Sequence, residues 1–217
     1  MAMDFGFCFP WGADRAIFDC NGWRDTLDAL AKVYRHYGTA RAAARAINAC
    51  RRFDGHGPYR FDENRTDYRF YVDHGVAYYR LVEIAVPQAM SQWHLGAGGT
   101  VGFQTICGLA ALTGLLKRRD VGELSFVVWP QEGFELAHNH HLIVESYPSI
   151  SPNPEDYGPC VGGHQRDAWR VLDWILGEAA TNRLERAFSI PPMSFGRVEG
   201  VSFQEQVRFE GWIIGVS

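Results

Sequence analysis

Long apolar runs, paired cysteine motifs and a strong net charge are all missing from this chain. The longest apolar stretch, TICGLAALTGLL at 105–116, falls well short of the roughly 20 residues that a membrane-spanning helix needs. No basic segment followed by an apolar one opens the sequence, so a soluble protein with no membrane partner is expected. The cysteines, Cys8, Cys20, Cys50, Cys107 and Cys160, are odd in number, widely spaced and form no C-x-x-C. That pattern speaks against a zinc ribbon or a disulfide framework, and for reduced thiols in the cytoplasm. A serine nucleophile finds no G-x-S-x-G elbow. A net charge of −4 supplies no global attraction to nucleic acid.

What the chain does have is the composition of a globular protein. Its 217 residues are 47% hydrophobic and 14% aromatic, enough for one substantial domain over 1–217 with a real core. Charge is unevenly placed. Between Lys32 and Arg69 nine Lys/Arg face four acids, a local balance of +5. Such a segment suits either a surface that meets a polyanion or an ordinary solvated helix face.

Along the chain, MAMDFGFCFPWG reads as a short strand, carrying Asp4, that runs into a Pro/Gly turn. From Asn21 the period becomes helical, with Trp23, Leu27, Leu30, Ala31 and Tyr34 on one face. TARAAARAINACRRF predicts a second helix with Arg41 and Arg45 four residues apart. The stretch VAYYRLVEIAV fits strand or helix until Pro87 interrupts it. A helical and irregular insertion at about 21–95 follows from this, before a Gly-rich turn enters the helix LGAGGTVGFQTICGLAALTGLLKRR, whose small residues favour close packing. LSFVVWP and HLIVESYP read as strands stopped by Pro130 and Pro148, HQRDAWRVLDWILGEAA as a well-buried helix, and EGWIIGV as a last short strand. Strands interleaved with helices predict an α/β protein.

Three acids stand in one kind of context. Asp4 lies in the first strand, Glu145 ends a later one, and Asp167 opens the helix after a Gly-rich loop. Carboxylates from two strands and a helix that packs across them can converge, as magnesium requires. The segments MDFGFCFPWG, VVWPQE, VESYPSI, HQRDAW and EGWIIGV, in this order, resemble the DUF429 group of predicted nucleases with a ribonuclease-H-like fold, and WHLGAGGTVGFQTICGLAAL resembles a Gly-rich segment in one branch of it. The resemblance is scattered from Asp4 to Val216 and rests on short motifs.

What it implies is a ribonuclease-H-like mixed sheet flanked by helices, N-terminally incomplete because the usual opening meander and its aspartate are not seen. It further implies Asp4, Glu145 and Asp167 as ligands of Mg2+ or Mn2+ for hydrolysis of nucleic-acid phosphodiesters, with His164 assisting proton transfer. An inactive module of the same fold, binding a nucleotide, nucleic acid or protein, is the alternative. Missing edge strands would favour a homo-oligomer paired through an exposed sheet edge.

GAGGTVG at 96–102 invites a phosphate-cradle reading, with Gly98, Gly99, Thr100, Gln104 and, from the basic segment, Arg60 as substrate-binding candidates. Its spacing departs from G-x-G-x-x-G, and close helix packing is the default explanation. In HNHH at 138–141, His140 and His141 are adjacent and would point to opposite faces of an extended segment, so a surface loop is the better reading than a metal site.

Overall fold

The structure, a computed structural model, describes residues 1–61, 68–86, 88–96, 101–136, 140–150 and 162–216. Its centre is a small sheet of three strands, β1 (Ala2–Met3), β2 (Phe126–Trp129) and β3 (His141–Glu145), in the order β1-β3-β2. Both pairings are parallel, so the described sheet is parallel and not the mixed sheet expected from the sequence. The closing EGWIIGV adds no strand among the described residues; Ile213 makes one parallel bridge to Glu145, where Ile214 N–H donates to the Glu145 carbonyl at 3.0 Å.

Successive strand residues point to opposite faces, and the two faces build two cores. Val128 and Ile143 pack into a helical core with Leu27, Leu30, Ile106 and Leu109. Their neighbours Trp129 and Val144 pack into a second core with Leu81, Val82, Trp212 and Ile214. The sheet is therefore apolar on both faces, which is why its strands read as continuous hydrophobic runs.

The first core is made by α1 (Ala13–Phe18), α2 (Trp23–Tyr37), α3 (Ala40–Asn48) and α6 (Gly102–Asp120). In α2 the stripe of Trp23, Leu27, Leu30 and Ala31 is buried as its period predicts, and Gly38 (φ 74°) ends the helix in the left-handed region that glycine adopts freely. Thr39 caps α3 by accepting from Ala42 N–H at 3.2 Å. The ambiguous VAYYRLVEIAV contains a one-turn helix, α5 (Leu81–Ala85), after α4 (Arg69–His74).

The small residues of α6 do bring the helix close to its neighbours. A Cβ on Gly102 would lie 2.7 Å from the backbone oxygens of Gln92 and His94, and one on Gly108 2.4 Å from the Phe5 ring. Gly102→Ala therefore forces backbone to move and is expected to destabilise by about 1–3 kcal/mol, measured by urea unfolding.

The second core also takes in the side chains of α8 (Phe203–Glu210) and of α7 (Gly163–Ala180). The expectation that α7 is well buried fails. Only Val171 is fully buried, while Trp169, Leu172 and Leu176 are 48%, 43% and 57% exposed. Among the described residues its main packing partners are two short 3-10 turns, Pro148–Ile150 and Leu184–Phe188.

No helix of the described residues is long and apolar enough to cross a membrane. Cys8, Cys20, Cys50 and Cys107 are free thiols, and Cys160 lies outside the described residues.

Candidate functional site

β1 and β3 end side by side, with Met3 opposite Glu145 and Ser146 N–H donating to the Met3 carbonyl at 2.9 Å. Residues just past the carboxyl ends of parallel strands form the rim where α/β sheets take ligands. Asp4 and Ser146 hold those positions and line a cleft of about 620 Å³. Its opposite wall is α7, which contributes His164, Asp167 and the apolar Val171 and Ile175, while Gln104 from the start of α6 stands at its edge.

Asp4 is the most perturbed acid of this cleft. Its side chain reaches solvent, yet desolvation by the cleft walls, then the charges of Asp167 and Glu145, push its carboxyl up to about 6, with His164 pulling the other way. A carboxyl poised there exchanges a proton near neutral pH. Asp167 is partly engaged by Arg170, 3.6 Å away one turn along the helix.

Glu145 does not join them in the cleft. It is 3% exposed and held by Arg80, whose Nη1 and Nη2 donate to Oε2 and Oε1 at 2.8 and 2.6 Å, while Phe7 N–H donates to Oε2 at 3.1 Å. Arg80 also donates from Nε to Glu83 at 2.8 Å and from Nη1 to the Glu210 carbonyl at 3.1 Å. Burial alone would lower the Arg80 pKa, but the Glu145 and Glu83 carboxylates outweigh it and raise the pKa further above its usual value.

A bidentate guanidinium occupies both oxygens that a metal would need. Among the described residues no group of three His, Cys, Asp or Glu side chains is arranged to hold a metal ion. The trio Asp4, Glu145 and Asp167 thus does not fit a magnesium centre, because one member is committed to a buried ion pair.

Of the substrate-binding candidates, Gln104 lines the cleft. Gly98, Gly99 and Thr100 lie outside the described residues. Arg60 is 6% exposed and enclosed by tyrosines: it donates to Tyr78 Oη at 2.7 Å and its guanidinium lies over the Tyr68 and Tyr78 rings. Its backbone is tied to Trp93 and Leu95, so it anchors a loop and offers nothing to a phosphate. His138 lies outside the described residues, and His140 and His141 are exposed at the start of β3.

Sequence reasoning missed Arg80, Glu83 and Glu210. The signal was present in YYRLVE, where a charge pair three residues apart interrupts an apolar run, since such residues are almost never fully buried unless paired.

A second surface of the protein is basic. From Lys32 to Phe53 the chain has six Lys/Arg and no acid. Lys32, Arg35, Arg41, Arg45 and Arg51 are exposed and form no ion pair among the described residues. Arg41 lies over the rings of Phe61 and Phe103 at 6.0 and 5.1 Å, and Arg45 over Phe61 at 5.6 Å. Phe103 and Gln104 are consecutive residues of α6, of which Gln104 lines the cleft.

No protein-family model, curated protein or solved structure matches this chain.

Proposed function

We propose that the protein is a ribonuclease-H-like module that binds single-stranded nucleic acid without cutting it. The observation that carries this reading is the acid-free run from Lys32 to Phe53, over the end of α2 and all of α3, in which Lys32, Arg35, Arg41, Arg45 and Arg51 are exposed and unpaired among the described residues and Arg41 and Arg45 lie over the rings of Phe61 and Phe103. Cations that track phosphates, beside flat faces on which bases stack, are what single-strand binding requires. The Arg80–Glu145 pair supports absence of cleavage, because it withdraws one of the three carboxylates that metal-assisted hydrolysis would use.

Fluorescence anisotropy with a labelled oligonucleotide tests this reading. Affinity should fall with salt, and Arg41→Gln/Arg45→Gln should reduce the log–log salt slope by about 1.4, at roughly 0.7 per single-strand phosphate contact. An unchanged slope would remove these arginines from the interface.

A hydrolytic reading is favoured by one observation, the raised carboxyl of Asp4 beside His164 and Asp167. Cleavage of the bound strand that disappears in Asp167→Asn would establish it over the binding module.

A further inference from the structure

A second cleft, of about 710 Å³, opens at the carboxyl end of β2, apart from the residues of the first. Its volume is that of a small-molecule site. Trp11, Trp23, Phe134 and Phe209 give it flat aromatic walls, Trp11 meeting Phe209 edge to face at 5.4 Å. Its charges cancel, Asp14 and Glu205 standing against Arg15 and Arg208, so the lining does not select an ion.

Gln131 lines the same cleft, is 7% exposed, and finds no hydrogen-bond partner among the described residues for either amide atom. Its amide nitrogen rests against Gly211, where a Cβ would come within 2.6 Å of it and within 3.4 and 3.5 Å of Glu145 Oε2 and Arg80 Nη1, so the amide sits beside the buried ion pair. Gly211 has φ 89°, a conformation that side chains rarely take, so the backbone itself keeps this space for the amide. A buried amide with no partner is unfavourable, and polar groups left in this state call for an explanation.

We propose that this cleft binds an uncharged nucleoside, whose base packs against the aromatic walls while the Gln131 amide turns outward to pair with the base edge. An amide presents one acceptor and two donors in a plane, which matches the adjacent donor and acceptor on a nucleobase. In the free protein both amide atoms are closed to solvent, so turning exchanges an unmatched burial for matched hydrogen bonds. The site is independent of the basic surface on α2 and α3.

Titrating adenosine, guanosine, cytidine and uridine while following tryptophan fluorescence tests the proposal, since Trp11 and Trp23 line the cleft. At least one nucleoside should give a saturable change, weakened roughly tenfold in Gln131→Met, the loss expected for a matched pair of neutral hydrogen bonds. Gln131→Met should keep or raise the melting temperature, because a thioether needs no partner. Phe134→Ser, half-buried in the lining, should weaken the same nucleoside without unfolding the protein. Arg41→Gln/Arg45→Gln should leave the nucleoside affinity unchanged, separating this site from the polynucleotide surface. No saturable response to any of the four, or equal affinity in Gln131→Met and Phe134→Ser, would overturn the proposal.

Discussion

Arg80→Met is expected to destabilise the protein by about 3–5 kcal/mol, the loss typical of removing one partner of a buried ion pair. Arg80 is 2% exposed and joins three elements: Glu83 in its own short helix, Glu145 at the end of β3 and the Glu210 carbonyl at the end of α8. Methionine fills much of the volume but leaves Glu83 and Glu145 without their cation, in a region with little access to water. Urea unfolding of the variant should show a lower midpoint with an unchanged slope, since the surface exposed on unfolding is the same. Arg80→Met/Glu145→Gln should recover part of the loss by removing one stranded charge. An Arg80→Met protein as stable as wild type would mean that the pair is dispensable, and the case against a metal ligand at Glu145 would weaken with it.

The second large effect is an inverted dependence on pH. Burial first of all pushes the Glu210 carboxyl up to about 7, against hydrogen bonds donated by Leu81 N–H, Gln206 and Trp11 N–H. In the unfolded chain the same group titrates near 4.5. Between these values the folded state binds more protons than the unfolded one, so stability falls as pH rises. The stabilisation is complete below about 4.5, declines through the window and is gone above about 7. A shift of this size corresponds to roughly 3 kcal/mol at 1.36 kcal/mol per unit. Asp4, raised to about 6, and Glu83, also raised by burial, act in the same direction. Unfolding at pH 5 should therefore need more urea than at pH 8, the reverse of ordinary acid denaturation. Glu210→Gln should flatten the profile and lie below wild type at pH 5, because its amide nitrogen must face a backbone donor.

The sequence made local faces readable and long-range partners unreadable. The Leu27–Leu30 stripe of α2, the strand run ending at Glu145 and the close-packing glycines of α6 all follow from spacing within a few residues. Asp4 and Asp167 are nameable because each sits at a strand end or a helix start, the positions that an α/β sheet brings to one rim. Glu145 occupies the same kind of position, and nothing local distinguishes it from them. Its fate was decided by Arg80, 65 residues away in a segment whose period fits strand and helix alike. The exposure of α7 has a related cause: an apolar stripe shows which face seeks cover, and the covering surface is supplied by other parts of the chain.

The pairing of Ala2 with Val144 also bears on how the protein is made. Closing so long a loop is entropically slow, and α2 and α3 likewise complete their packing only against α6 (Gly102–Asp120). During synthesis Asp4 has no strand to dock beside until residues 141–145 have left the ribosome. The emerging chain therefore carries its basic Lys32–Phe53 stretch outside the ribosome well before the cleft can close.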